Sequence, residues 1–262
     1  MKGIIMPSPS GNSNLTLSPR PYSAALMRDM ARVEAHYLLR VLRESGGLFR
    51  DLAATQTPWR GMIAANCSCD DFLARAESLL IGAANSLSAG ERVERFLEYA
   101  DPFFAAGPMV MGDELTRYRW FGCFRFGSHP EIGAISIHIR NNCMPHSPFE
   151  NLSACARSLS AICEAAEAEP FPVESVTCGT WLNDLPVFLG LFPPSYRASL
   201  EVSPPDSKGG WGWWGQLVDR TGQLHAKRAA TVLETGRFPH PRKEGRCGFQ
   251  EFKRHVSAER RN

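Results

Sequence analysis

Apolar residues recur at three- and four-residue steps from Leu26 through Met30, Val33, Tyr37, Leu38, Val41 and Leu42, until Gly46 and Gly47 interrupt them. That spacing lays an apolar stripe along one helix, and paired glycines end it. A second helical pattern runs from Asp70 to Leu87, opened by Asp70 and Asp71, whose charges suit the positive end of a helix dipole. A third spans Ala89 to Tyr99, with Ser88 before it and Glu91 three residues after that serine, the spacing of a capping box. Residues 22–102 therefore read as a helical region. Residues 1–21, rich in Pro, Ser and Asn, read as a flexible leader.

The pattern changes after Asp101-Pro102. Arg117–Phe126 alternates and is rich in aromatic residues, which predicts a strand; Gly127–Pro130 predicts a turn, and Gly133–Arg140 a second strand. Helical spacing over Asn151–Ala168 is followed by a strand at Val173–Cys178 and a short helix at Asn183–Leu191. Strands are expected at Arg197–Val202 and Trp211–Asp219, then a helix at Gln223–Thr235 stopped by Gly236. A strand, a helix and a strand in succession imply a right-handed crossover and a parallel pair, while the flanking hairpins imply antiparallel edges. The expected class is α+β: a mixed, largely antiparallel sheet flanked by helices over residues 103–240. Residues 241–262 read as a basic tail draped over the surface.

Composition narrows the chemistry. With 262 residues, 44% hydrophobic and 21% charged, the chain can build a core and is not a disordered polymer. It has no apolar run of about 18 residues, and its net charge is +2, so neither a membrane nor nucleic acid is an expected partner. Arginine outnumbers lysine 24 to 5. The planar guanidinium matches carboxylate, phosphate or sulfate in two-point contact, so the bias matters where arginines share a face. The eight cysteines include no paired CxxC motif, and they read as reduced thiols of a cytoplasmic protein. His138, Cys143 and His146 match no metal-site spacing, and no metal is expected.

Strand parity gives the sharpest clue to a site. Ser136, His138 and Arg140 point one way and Ile135, Ile137 and Ile139 the other; Arg117, Arg119, Cys123 and Arg125 share one face of the preceding segment. Aligned polar faces would crowd these cations with His138 and favour an anionic ligand, with Asn141 beside Arg140; the competing reading is a solvated sheet face. His138 is the candidate acid or base, since imidazole titrates near neutrality and a strand holds it rigidly. Cys178 is a candidate nucleophile or a buried, inert thiol. Trp181, Asn183 and Asp184 follow at a strand's carboxyl end, where α/β sheets tend to bind ligands, although Asn183 or Asp184 could instead cap the short helix. Asp184 is a second candidate proton acceptor. Residues 203–216 combine glycines and tryptophans, so Trp213 and Trp214 with Asp206, Lys208 and Gln216 could form a lid over a small molecule. The same tryptophans could instead plug a core or form a homodimer contact.

The strand ISIHI (135–139), the helix after it and VTCGTWLNDLPVFLGLFPPSYRAS (176–199) resemble the GNAT acyltransferase superfamily from its third strand onward. More narrowly, the chain resembles a bacterial group with a helical N-terminal domain and a GNAT-like C-terminal domain. The resemblance implies transfer of an acyl group to an amine-bearing or anionic metabolite, with acyl-CoA as donor. The chain departs from that family at Arg140–Phe149, which contains no glycine where a Gly-rich pyrophosphate loop would lie. That leaves two alternatives: a CoA-independent tailoring enzyme of natural-product chemistry, carrying out another group transfer or ring closure, and a non-catalytic small-molecule binding protein.

Overall fold

The computed structural model describes residues 22–59, 69–82, 86–117, 119–204 and 210–259, with the side chains of residues 104–117 left out. Four helices lead the chain: α1 (Ala24–Ser45), α2 (Phe49–Gln56), α3 (Cys69–Glu77), prolonged by a π-helical turn at Ser78–Gly82, and α4 (Ala89–Arg117). The side chain of Ser23 caps α1 at Leu26, and Gly46, at φ 66°, closes it in the left-handed conformation that favours glycine. Ser88 and Glu91 form the expected reciprocal bonds, with Glu91 accepting from the Ser88 amide at 2.8 Å. Two findings differ from the pattern. Helix α2 had no stripe long enough to reveal it, and α4 continues through Pro102 to Arg117, so the segment expected to open a strand ends a helix instead.

The sheet follows. Strands β1 (Phe124–His129) and β2 (Ala134–Ile139) form an antiparallel hairpin, and α5 (Leu152–Ala166) crosses to β3 (Ser175–Thr180), parallel to β2. Short helices at Pro186–Leu189 and Pro194–Ala198 lead to the two-residue β4 (Glu201–Val202), so only the last two residues of the expected strand at 197–202 are extended, and Arg197 and Ala198 end a helix instead. Trp211–Trp214 is a helical turn rather than a strand, since Gly210 and Gly215 flank a one-turn aromatic block with no room to alternate. Helix α6 (Ala226–Thr235) ends at Gly236 as its sequence predicts.

The expected surface tail is instead structural. It forms β5 (Lys243–Gly248) and α7 (Phe249–Glu259). Strand β5 inserts between β3 and β4, antiparallel to both, giving the order β1-β2-β3-β5-β4. Its hold is the backbone ladder rather than an apolar pattern, which is why charge alone misled. Gly245 is required there, because a Cβ would stand 2.5 Å from the Tyr196 ring. The sheet is mixed and mostly antiparallel, with one parallel pair.

Three apolar clusters hold the layers. One face of the sheet (Ile135, Ile137, Val176, Cys178, Cys247) is covered by Leu159 and Ile162 of α5 and Phe249, Phe252 and Val256 of α7. The helical layer packs Ala31, Ala35 and Leu38 of α1 against Phe49, Trp59, Phe72 and Phe96. The opposite side of α1 (Leu26, Met30, Val33, Tyr37) packs on Trp213, Trp214, Leu217 and Val232. Helix α1 is thus apolar on two sides and joins the helical layer to the sheet's neighbours. Among the described residues, no helix is long and apolar enough to cross a membrane.

Candidate functional site

Strands β2 and β3 pair over Ala134–Ser136 and Ser175–Thr177 only. Beyond that, β2 stays with β1, ending at Ile139 opposite Phe124, while β3 stays with β5, ending at Thr180 opposite Lys243. The parallel strands therefore diverge toward their carboxyl ends, and a cavity of about 670 Å³ lies between Ile137–Asn141 and Cys178–Leu182. Its outer wall comes from Tyr22, Trp211, Gly212 and Val218–Thr221, with His225 and Arg228 of the α6 end.

The wall is cationic and aromatic. Arg125, Arg140, Arg220 and Arg228 line it, against Asp219 as the acidic side chain. Asp219 is committed to its own turn: Oδ1 accepts from the Thr221 amide and hydroxyl and from the Gln223 amide. Burial pushes its carboxyl up, but those bonds outweigh burial and hold it below its ordinary value. Arg140 is 8% exposed and lies 4.2 Å over the Tyr22 ring; Arg228 lies 5.1 Å over Trp181 and donates to the Gln216 carbonyl at 2.9 Å. Guanidinium groups stacked on rings and withdrawn from water are held in place, and their charge is screened less than in bulk solvent.

His138 reaches the cavity from the polar face of β2, directly opposite Arg125 of β1. Although His138 is exposed at the cavity edge, loss of water around part of the ring, followed by the nearby Arg125 and the His129 ring, lowers its imidazole to about 4. The ring is therefore neutral at physiological pH and has a free lone pair for a proton. Its Nε2 lies 3.1 Å from the Ser136 hydroxyl, which lies 2.9 Å from His129 Nε2.

Of the sequence candidates, His138, Arg140, Asn141, Cys178 and Trp181 line the cavity. Burial pushes the Cys178 thiol up to about 12, which keeps it a protonated element of the wall. Asn141 braces its loop, donating from Nδ2 to the carbonyls of His146 and Arg220 at 2.9 and 3.3 Å. The other candidates that the structure describes lie elsewhere. Arg119 is exposed, with its guanidinium 4.7 Å over Phe121; Arg117 ends α4, and its side chain lies outside the described residues, as do Asp206 and Lys208.

Asn183 is fully buried, donating to the carbonyls of Cys178 and Lys243 at 2.9 and 2.8 Å and accepting from the Tyr196 hydroxyl at 3.0 Å. Asp184 is clamped by Lys243 at 2.6 Å and His240 at 2.9 Å, outside the cavity wall. Gln216 is fully buried and joins Trp213 to His240 through their backbones. Trp213 and Trp214 are core residues and offer no dimer surface. Asn183 and Gln216 hold the fold together by bonding to backbone and Asp184 by pairing two side chains, which residue type alone does not reveal.

Sequence reading missed Tyr22, Arg220, His225 and Arg228 as cavity residues. Each comes from an element whose docking, not its local pattern, decides what it faces. Among the described residues, no group of three or more His, Cys, Asp or Glu could hold a metal ion, and the seven described cysteines are free thiols.

The loop after β2 bears on a nucleotide-type cofactor. The Asn142 amide is bonded to Cys123 Sγ, that of Cys143 to Asn141 Oδ1, that of His146 to the Cys143 carbonyl and that of Ser147 to Glu150. A pyrophosphate cradle needs such amides aimed at the ligand. These are spent within the loop. No family model, no curated protein and no solved structure matches the chain, and the site is therefore read from its own chemistry.

Proposed function

We propose that the chain is a small-molecule group-transfer enzyme of GNAT-like build that acts on an anionic metabolite, with acyl transfer as the reaction the resemblance implies. The observation that carries this reading is a neutral imidazole, His138, at the wall of a cavity lined by Arg125, Arg140 and Arg228, where parallel strands diverge. The arginines bind and orient the negative group, the aromatic walls exclude water, and His138 accepts a proton as the acceptor atom attacks. The sheet order, with one parallel crossover pair between antiparallel neighbours, supports the same reading.

The loop amides do not fit coenzyme A in the manner of the family. An activated acyl donor without a nucleotide, such as an acyl phosphate or a small thioester, fits better, because side-chain guanidinium groups rather than backbone amides supply the positive charge.

Two measurements test this. The first offers small acyl phosphates and thioesters with amine acceptors to the purified chain, with acetyl-CoA titrated calorimetrically alongside; no turnover with any donor sinks the reading. The second is His138→Ala, expected to stay folded and lose turnover by about 100-fold or more. In the parent, the rate should fall as pH drops toward 4, where His138 takes up its proton.

A further inference from the structure

The β1–β2 hairpin carries a second constellation on its open face. The chain turns at Pro130–Ile132, a 3-10 turn closed by Gly133 at φ 58°, and this turn folds Glu131 back beside His129. Glu131 Oε1 stands 3.5 Å from His129 Nδ1, and His129 Nε2 stands 2.9 Å from Ser136 Oγ. Gly127, opposite Ser136 in the ladder, leaves the hydroxyl its room, because a Cβ there would stand 3.0 Å from Oγ.

One proton assignment along this row readies the serine for attack. With Nδ1–H of His129 turned to the Glu131 carboxylate, Nε2 is the acceptor and Ser136 donates its hydroxyl proton to it. His138, 3.1 Å away through Nε2, then donates N–H to Oγ and keeps Nδ1 as its own lone pair. Acid, imidazole and hydroxyl thus stand in the order that activates a serine for attack.

We propose that Ser136 is a nucleophile, activated by His129 and oriented by Glu131, that takes up acyl groups from activated esters. The proposal rests on the group-transfer reading for its place in a reaction, and on this geometry alone for the covalent step. Ser136 Oγ bonds to the acyl carbonyl carbon as its proton passes to His129 Nε2; the ester's alkoxide leaves and takes that proton. An amine or water then attacks the acyl-serine, gives its proton to His129, and Oγ departs with that proton as the ester bond breaks. Arg125, opposite His138, places positive charge at the cavity edge of the same face.

The test uses the full chain and a fluorophosphonate probe, which forms a P–O bond to an activated serine and expels fluoride without any acyl donor. A single adduct on the peptide containing Ser136, absent from Ser136→Ala and from heat-unfolded protein, is expected. His129→Ala should slow labelling by at least ~100-fold, and Glu131→Gln, at an exposed position, by ~10-fold. No adduct at Ser136, or equal rates in the parent and in Glu131→Gln, overturns the proposal, even if His129→Ala fails to fold. Labelling without acyl transfer to amines would leave the nucleophile standing and remove the group-transfer reading; transfer without labelling would do the reverse.

Discussion

Two polar neighbourhoods meet at the end of β3, and they behave differently. On the buried side, Asn183 and Gln216 spend their hydrogen bonds on backbone carbonyls and amides, and Asp184 is clamped between Lys243 and His240. On the cavity side, Arg125, Arg140, Arg228 and His138 line the wall, with Arg140 stacked on Tyr22 and Arg228 on Trp181. Both sets are polar residues near strand ends. What separates them is what they surround: the first set is closed within the fold, and the second borders the cavity.

The largest effect expected from this contrast is on stability. Asn183→Ala removes one donor each from the Cys178 and Lys243 carbonyls and an acceptor from the Tyr196 hydroxyl, and should lower unfolding free energy by about 3–5 kcal/mol in urea titration. A stable Asn183→Ala protein would break the contrast.

Glu34 sharpens it, being only half satisfied. Its Oε2 accepts from Trp59 Nε1 at 2.6 Å, while Oε1 is buried without a partner. Burial raises its carboxyl from 4.5 to about 8, against the smaller opposing pull of the Trp59 bond. Between those values the folded chain keeps a proton that the unfolded chain has released, so stability falls as pH rises through that window. Glu34→Gln should match the parent near pH 4.5 and exceed it by about 2–4 kcal/mol at pH 8, read from melting curves across pH.

Smaller effects belong to the cavity. Arg125→Ala should weaken binding of a small dianion such as inorganic phosphate by about tenfold and alter stability by less than about 1 kcal/mol. Arg220, 69% exposed and 3.5 Å from Glu150, should change stability by no more than about 0.5 kcal/mol as Arg220→Ala, the usual scale for a surface ion pair. Reversed magnitudes for Arg125 and Asn183 would invert the assignment of ligand and scaffold.

The same contrast explains what the sequence could convey. Helices with a full apolar stripe and a cap were legible: α1, α5 with Asn151 at its N-cap, and α6 before Gly236. The hairpin partner of β2 was legible only in part, because the aromatic alternation before Phe124 belongs to a turn with Gly122 at φ 61°. Strand β5 was not legible, since Lys243–Gly248 shows no apolar alternation and is secured by two neighbouring strands. His138 and Arg140 followed from strand parity. Tyr22, Arg220 and Arg228 did not, because their position depends on how distant elements dock.

Helix α1 carries one more consequence. Tyr22, just ahead of it, lies under Arg140 and 5.4 Å from the Trp211 ring, while the body of α1 is shared between two apolar clusters. The N-terminal helices are therefore not an appendage that could be trimmed from a self-sufficient sheet half. Removing them would strip away a wall of the cavity and the support of the tryptophan turn together, so the chain should melt in one transition and lose the cavity as it does.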